Sequence, residues 1–178
     1  MVHHLGRWAV IIISLVLVQA CSATSSIRDA EIVLKNGRVC FSAAKRDQSS
    51  NDGVQIQALS VSGPRGEQGS GGKPPLMWAF WVEKGQAPLD LRSENCVAYG
   101  VLPPRSEQTV MPKNLQENAV YSVFLNGRPS SAESVLGYRA EFCVSLNGNG
   151  DVERLVVVPL DEKVQKWRYD LCKPLAEK

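Results

Sequence analysis

From Gly137 to Leu146 (GYRAEFCVSL) apolar and polar residues alternate without a break. Tyr138, Ala140, Phe142, Val144 and Leu146 fall on one face, and Arg139, Glu141, Cys143 and Ser145 on the other. A period of two is the mark of a half-buried strand, and it recurs along the chain. Ile32 and Leu34, then Val39 and Phe41, flank Asn36-Gly37, a two-residue hairpin signal; Cys40 falls on the opposite face, with Arg38 and Ser42. Val54, Ile56 and Ala58 alternate with Gln55 and Gln57 in a strand reaching about Val61. Residues 119–125 (AVYSVFL) and the short run at 96–101 (CVAYGV) read the same way. The turn Asn147-Gly148-Asn149-Gly150 feeds a last strand over residues 152–159. Residues 76–82 (LMWAFWV) are apolar on both faces, which predicts a strand covered on both sides, the alternative being an exposed aromatic patch.

Two stretches between these strands read as connections: residues 44–53, and the polar run 105–118 around Pro112. Residues 63–75 (GPRGEQGSGGKPP) place Gly63, Gly66 and Gly69 three apart, but Gly72 ends the register of a collagen helix, and a surface loop is expected. Beyond Leu160 the period changes. Leu160, Val164, Trp167 and Leu171 recur at helical spacing, Asp161 and Glu162 suit a helix start, and Pro174 follows. The expected fold is mainly β: an antiparallel, Ig-like β-sandwich of about seven strands with a short C-terminal amphipathic helix. The helix stripe is expected to lie over an apolar sheet face such as that of Met77 and Trp81.

The first twenty residues have another character. His3, His4 and Arg7 precede an apolar run, residues 9–18 (AVIIISLVLV), too short for a transmembrane helix of ~20 residues and suited to a signal peptide. Val18-Gln19-Ala20-Cys21 resembles the lipobox of bacterial lipoproteins, which implies cleavage before Cys21 and acylation of its thiol and amine. With Ser22 rather than Asp after the cysteine, the resemblance implies the outer membrane. The expected organisation is a lipoprotein signal peptide over 1–20, a lipidated tether over 21–29 and one domain over 30–178.

Removal of that signal narrows the chemistry. It carries both histidines and one basic residue, Arg7, leaving 19 Lys and Arg against 18 Asp and Glu. A net charge near +1 argues against nucleic acid, which calls for a concentrated basic face. Without histidine there is no Ser-His-Asp triad and no His-containing metal site. Carboxylate pairs such as Asp90/Glu94 and Asp161/Glu162 read as solvated charges, so neither catalysis nor a cofactor is expected. Besides Cys21, Cys40, Cys96, Cys143 and Cys172 form an even set without a C-x-x-C spacing, which in an oxidising compartment predicts two structural disulfides and no metal site. Strand phase leaves Cys40–Cys143 open as one pairing.

Lys35-Asn36-Gly37-Arg38-Val39-Cys40-Phe41-Ser42, Cys96-Val97-Ala98-Tyr99-Gly100, Val120-Tyr121-Ser122-Val123 and Tyr138-Arg139-Ala140-Glu141-Phe142-Cys143-Val144 follow the lipobox in that order. This succession resembles a family of small enterobacterial lipoproteins described as type VI secretion immunity periplasmic lipoproteins. The resemblance implies a Cys40–Cys96 bridge, leaving Cys143 and Cys172 to each other, and brings no catalytic residues. It implies a periplasmic protein that binds and neutralises a toxin; the alternative is a structural lipoprotein of a secretion or surface apparatus. The chain departs from the family in the extra cysteines Cys143 and Cys172, the Gly-rich loop and a longer tail. Candidate partner contacts are Trp81 and Tyr99, with Arg65 in the Gly-rich loop and Arg105 after Pro103-Pro104, since aromatic and Arg anchors displayed near loops dominate binding energy.

Overall fold

The computed structural model describes residues 26–48, 53–64, 73–92, 95–129, 135–161 and 166–173. The signal segment, Cys21, Arg65 and Val164 lie outside them. Alternation decides the backbone: the described residues hold twelve strands, one helical turn and one 3-10 turn. In order these are β1 (Ser26–Lys35), β2 (Arg38–Ala43), the turn α1 (Lys45–Gln48), β3 (Val54–Ser62), β4 (Leu76–Val82), β5 (Leu89–Leu91) and β6 (Val97–Ala98). Then come β7 (Ser106–Val110), β8 (Tyr121–Pro129), β9 (Val135–Leu146), β10 (Val152–Val158), β11 (Leu160–Asp161), β12 (Lys166–Trp167) and the 3-10 turn Tyr169–Cys172.

Asn36 and Gly37 both take positive φ, 52° and 73°, and join β1 to β2 in the expected tight hairpin, with Ile32 opposite Phe41. β1 starts at Ser26, inside the stretch expected to be tether.

Ten strands form one hydrogen-bonded sheet in the order β6-β2-β1-β9-β8-β3-β4-β7, with β10 also on β9 and β5 also on β3. Two expectations are corrected here. The sheet is mixed rather than antiparallel, because β1 runs parallel to β9, Arg28 lying opposite Tyr138. It is also one curled sheet rather than the two sheets of a sandwich. The cause is that strands change partners along their length. β1 leaves β9 after Asp29 and pairs with β2 from Ala30 onward. The β2–β6 arm is thereby folded back over the sheet, so that the Phe41 ring meets Phe142 at 5.6 Å and Tyr99 meets Trp78 at 5.4 Å. Between arm and sheet lies the main core, which buries Phe41, Trp78, Phe80, Tyr121, Tyr138 and Phe142. β2 is buried on both faces from Val39 to Ala43, a consequence of that position.

The C-terminal helix is corrected as well. Leu160 and Asp161 pair antiparallel with Trp167 and Lys166, and Tyr169–Cys172 is a 3-10 turn. Leu160 and Leu171 are 39% and 43% exposed rather than parts of a buried stripe. The segment straps the outer face of β9 and β10 instead of covering Met77 and Trp81. Cys143, Val158 and Cys172 form a second small core there, with Val156, Trp167 and Tyr169 packed against it. Tertiary contacts override the local period: Arg139 bonds buried Glu141 at 2.6 Å and stacks over the Trp167 ring at 5.6 Å. Trp167 is half-buried, so Trp167→Ala is expected to cost about 1–2 kcal/mol, against the 3–5 typical of a fully buried ring. Urea denaturation measures this.

The structure joins Cys40 to Cys96 and Cys143 to Cys172, with Cα atoms 5.5 and 5.8 Å apart. The Cys40–Cys143 alternative is excluded. The first bridge fastens the arm and the second the strap. Two expected connections also hold structure: residues 106–110 are β7, and 45–48 make one helical turn whose Asp47 pairs with Arg28.

Candidate functional site

The arm covers the core face, and the strap covers part of the outer face at β9 and β10. The outer face of β8, β3, β4 and β7 remains, and there the pairing registers put four residues in one row. Asn126 of β8 is opposite Ala58 of β3, Ala58 is opposite Trp81 of β4, and Trp81 is opposite Glu107 of β7. Directly opposed residues point to the same side of a sheet, neighbouring strands being about 4.8 Å apart. The row is therefore one surface feature. Its large members flank a hollow at Ala58.

A bulge adds a fifth side chain. Between β3 and β8 the register shifts so that Ile56 faces Gly127 and Ala58 faces Asn126, leaving Gln57 as the extra residue. Burial changes phase at that point: Val54 and Ile56 are buried, and then Leu59 and Val61. Gln57 and Ala58 thus both reach the outer face, whereas simple alternation had put Ala58 among the core residues. Bulges recur where a strand must re-aim a side chain. The neighbour of β3 also changes here, from β5 at Val54–Ile56 to β4 from Ala58 onward, so the loop from Glu83 to Pro88 turns beside the bulge. Together these residues line an open cleft of about 560 Å³, within the usual range for small-ligand sites of roughly 300–1,000 Å³.

Trp81 is 50% exposed. Its indole Nε1–H donates to Glu107 Oε2 at 2.8 Å, which holds the ring by its edge and leaves its face uncommitted. β4 therefore divides as its sequence allows: Met77 to Phe80 are covered on both sides, and the aromatic at the next position is not.

The other candidate contacts separate. Arg105 is exposed at the turn entering β7, with φ 58°, and its carbonyl accepts the Glu83 N–H at 3.0 Å. Since Ser106 is opposite Val82, Arg105 and Trp81 share one corner of the sheet. Tyr99 does not. It sits half-buried at the edge of the main core, edge-on to Trp78 and Phe41, and its hydroxyl donates to the Lys113 carbonyl at 2.7 Å. Burial pushes its phenol up to about 12. It is a packing residue beside a separate pocket of about 280 Å³ that also has Arg38 and Lys113 in its lining. Trp78 and Trp81 lie on opposite faces of β4, so Tyr99 and Trp81 cannot form one contact surface. Arg65 lies outside the described residues.

The sequence alone does not single out Gln57, Asn126 and Glu107. For Gln57 a signal existed in the phase slip between Ile56 and Leu59. Asn126 and Glu107 carry none, because each gains its place from a cross-strand register. Among the described residues no group of three or more His, Cys, Asp or Glu is placed to hold a metal ion. Compared with known proteins, the chain matches no protein-family model, no curated protein and no solved structure.

Proposed function

We propose that this chain is an outer-membrane-anchored periplasmic lipoprotein that binds and neutralises a type VI secretion effector, and so acts as an immunity protein. The observation that carries the reading is the corner of β4 and β7. A half-exposed tryptophan, fixed by Glu107, stands beside an exposed arginine, and these are two of the residue types that dominate protein–protein binding energy. Support comes from the lipobox at Val18–Cys21, from two disulfides that fasten the arm and the strap to the sheet, and from the motif resemblance. The function needs no catalytic step.

Survival is the test. Cells lacking the protein are expected to die beside sister cells that deliver the cognate effector. Rescue is expected from the intact gene and not from a form without residues 1–20. Labelled palmitate is expected to enter the wild type and not Cys21→Ala. Trp81→Ala with Arg105→Ala is expected to weaken effector capture by 2 kcal/mol or more, about thirtyfold, while unfolding free energy stays within roughly 0.5 kcal/mol. Unchanged survival of the deletion strain against every toxin-bearing sister would replace this reading with a structural or accessory role in a secretion or surface apparatus.

A further inference from the structure

We infer that the cleft beside Trp81 is a subsite for a neutral saccharide, a site separate in purpose from effector capture. A pyranose ring has one face of C–H groups and a rim of hydroxyls. Its receptor therefore needs a flat apolar platform and, at the platform's edge, groups that both donate and accept hydrogen bonds. The Trp81 indole supplies the platform: it is half-exposed and held at its edge by Glu107. Gln57 and Asn126 supply amides, each with two donors and a carbonyl acceptor, and the far carboxylate oxygen of Glu107 is a further acceptor. Ala58 lies between Trp81 and Asn126 in the same row, so its small side chain leaves the depth a ring would occupy.

The composition of the cleft separates this ligand from others. Its charged residues are Glu83, Lys84 and Glu107, with Arg105 at the same corner of the sheet, a mixed set without the concentrated positive charge that phosphates, nucleic acid or acidic glycans call for. A quaternary ammonium would want an aromatic cage and acceptors alone. Here one aromatic ring stands among amides whose donors such a cation could not use. The volume of about 560 Å³ and its open form suit a segment of a longer chain of sugars.

The test uses the full chain in detergent micelles, titrated by calorimetry with the β-1,4-linked tetramer of N-acetylglucosamine, with cellotetraose and with choline. In parallel, the indole N–H signal of Trp81, assigned through Trp81→Phe, is followed by NMR. The expected result is saturable binding of at least one tetrasaccharide with movement of the Trp81 signal. Binding should weaken by at least about tenfold in Trp81→Ala and, separately, in Ala58→Leu, which fills the hollow while leaving Trp81 and Arg105 in place. Gln57→Ala with Asn126→Ala is a third variant, at exposed positions, should either of the first two lose its fold. Absence of saturable binding by both tetrasaccharides overturns the inference. So does choline binding in their place, or wild-type affinity in folded Ala58→Leu. None of these outcomes bears on survival against an effector, so the two readings fail independently.

Discussion

Replacing Cys40 and Cys96 together by alanine is expected to lower the free energy of unfolding by about 4 kcal/mol, the chain-entropy value for a loop of this length. The bridge closes a separation of 56 residues, the longer of the two disulfide loops. It also sits where the backbone has least to offer. β6 meets β2 through two residue pairs, Cys40 with Ala98 and Phe41 with Val97, yet the arm they form covers the aromatic core. Without the cross-link the arm is held by β1 and by packing alone. The expected signature in urea is a lower midpoint, with increased exchange of the amides around Val97. The Cys143–Cys172 bridge spans 29 residues, and its removal is expected to cost roughly half a kcal/mol less, with the loosening confined to the strap. Equal stability of the Cys40/Cys96 variant and the wild type would show that the arm is fixed by its packing.

Trp78→Ala is expected to cost about 3–5 kcal/mol. The ring is fully buried, 5.3 Å from Phe80 and 5.4 Å from Tyr99, and so touches both the sheet and the folded-back arm. Its loss leaves a cavity at the junction of the two, where neighbours pinned by the first disulfide cannot readily close in. Three positions away, Trp81→Ala is expected to change stability by no more than roughly 0.5 kcal/mol, because that ring faces outward. Near-UV circular dichroism and urea denaturation on the two variants measure the contrast. Similar losses for both would mean that the outer face of β4 is covered.

That contrast also shows what was legible in the chain. The hairpin at Asn36-Gly37 and the buried face of β9 were readable because they depend on neighbours in sequence. The expected coverage of residues 76–82 holds only in part: Met77 to Phe80 are buried, whereas Leu76 and Trp81 are exposed. Parallel pairing of Arg28 with Tyr138 was not readable, since nothing local in Ser26–Asp29 distinguishes a tether from a strand whose partner lies far along the chain. The helical spacing of Leu160, Val164, Trp167 and Leu171 misled for a related reason. What settles Trp167 is the guanidinium of Arg139 on another strand, and what settles Cys172 is a bond to Cys143. β7 is not legible in the sequence because a polar edge strand, Ser-Glu-Gln-Thr-Val, has no apolar face to write into it. The candidate cleft was readable only through Trp81. Its other walls follow from a one-residue bulge and three strand registers, which the composition of each strand leaves open.

The divided pairing of β1 sets an order of events in folding. Ala30 to Lys35 can close on β2 as soon as Asn36-Gly37 turns, a local step on the microsecond scale of hairpins. Ser26 to Asp29 must wait for β9, which is made only after most of the chain, and loop closure over such a distance is slow. A single strand is thus half early and half late. Until β9 arrives, the early hairpin holds Ile32, Val39 and Phe41 without the sheet that will bury them. That apolar hairpin therefore precedes its cover, and the interval before β9 joins it is when this protein is most exposed to aggregation and proteolysis.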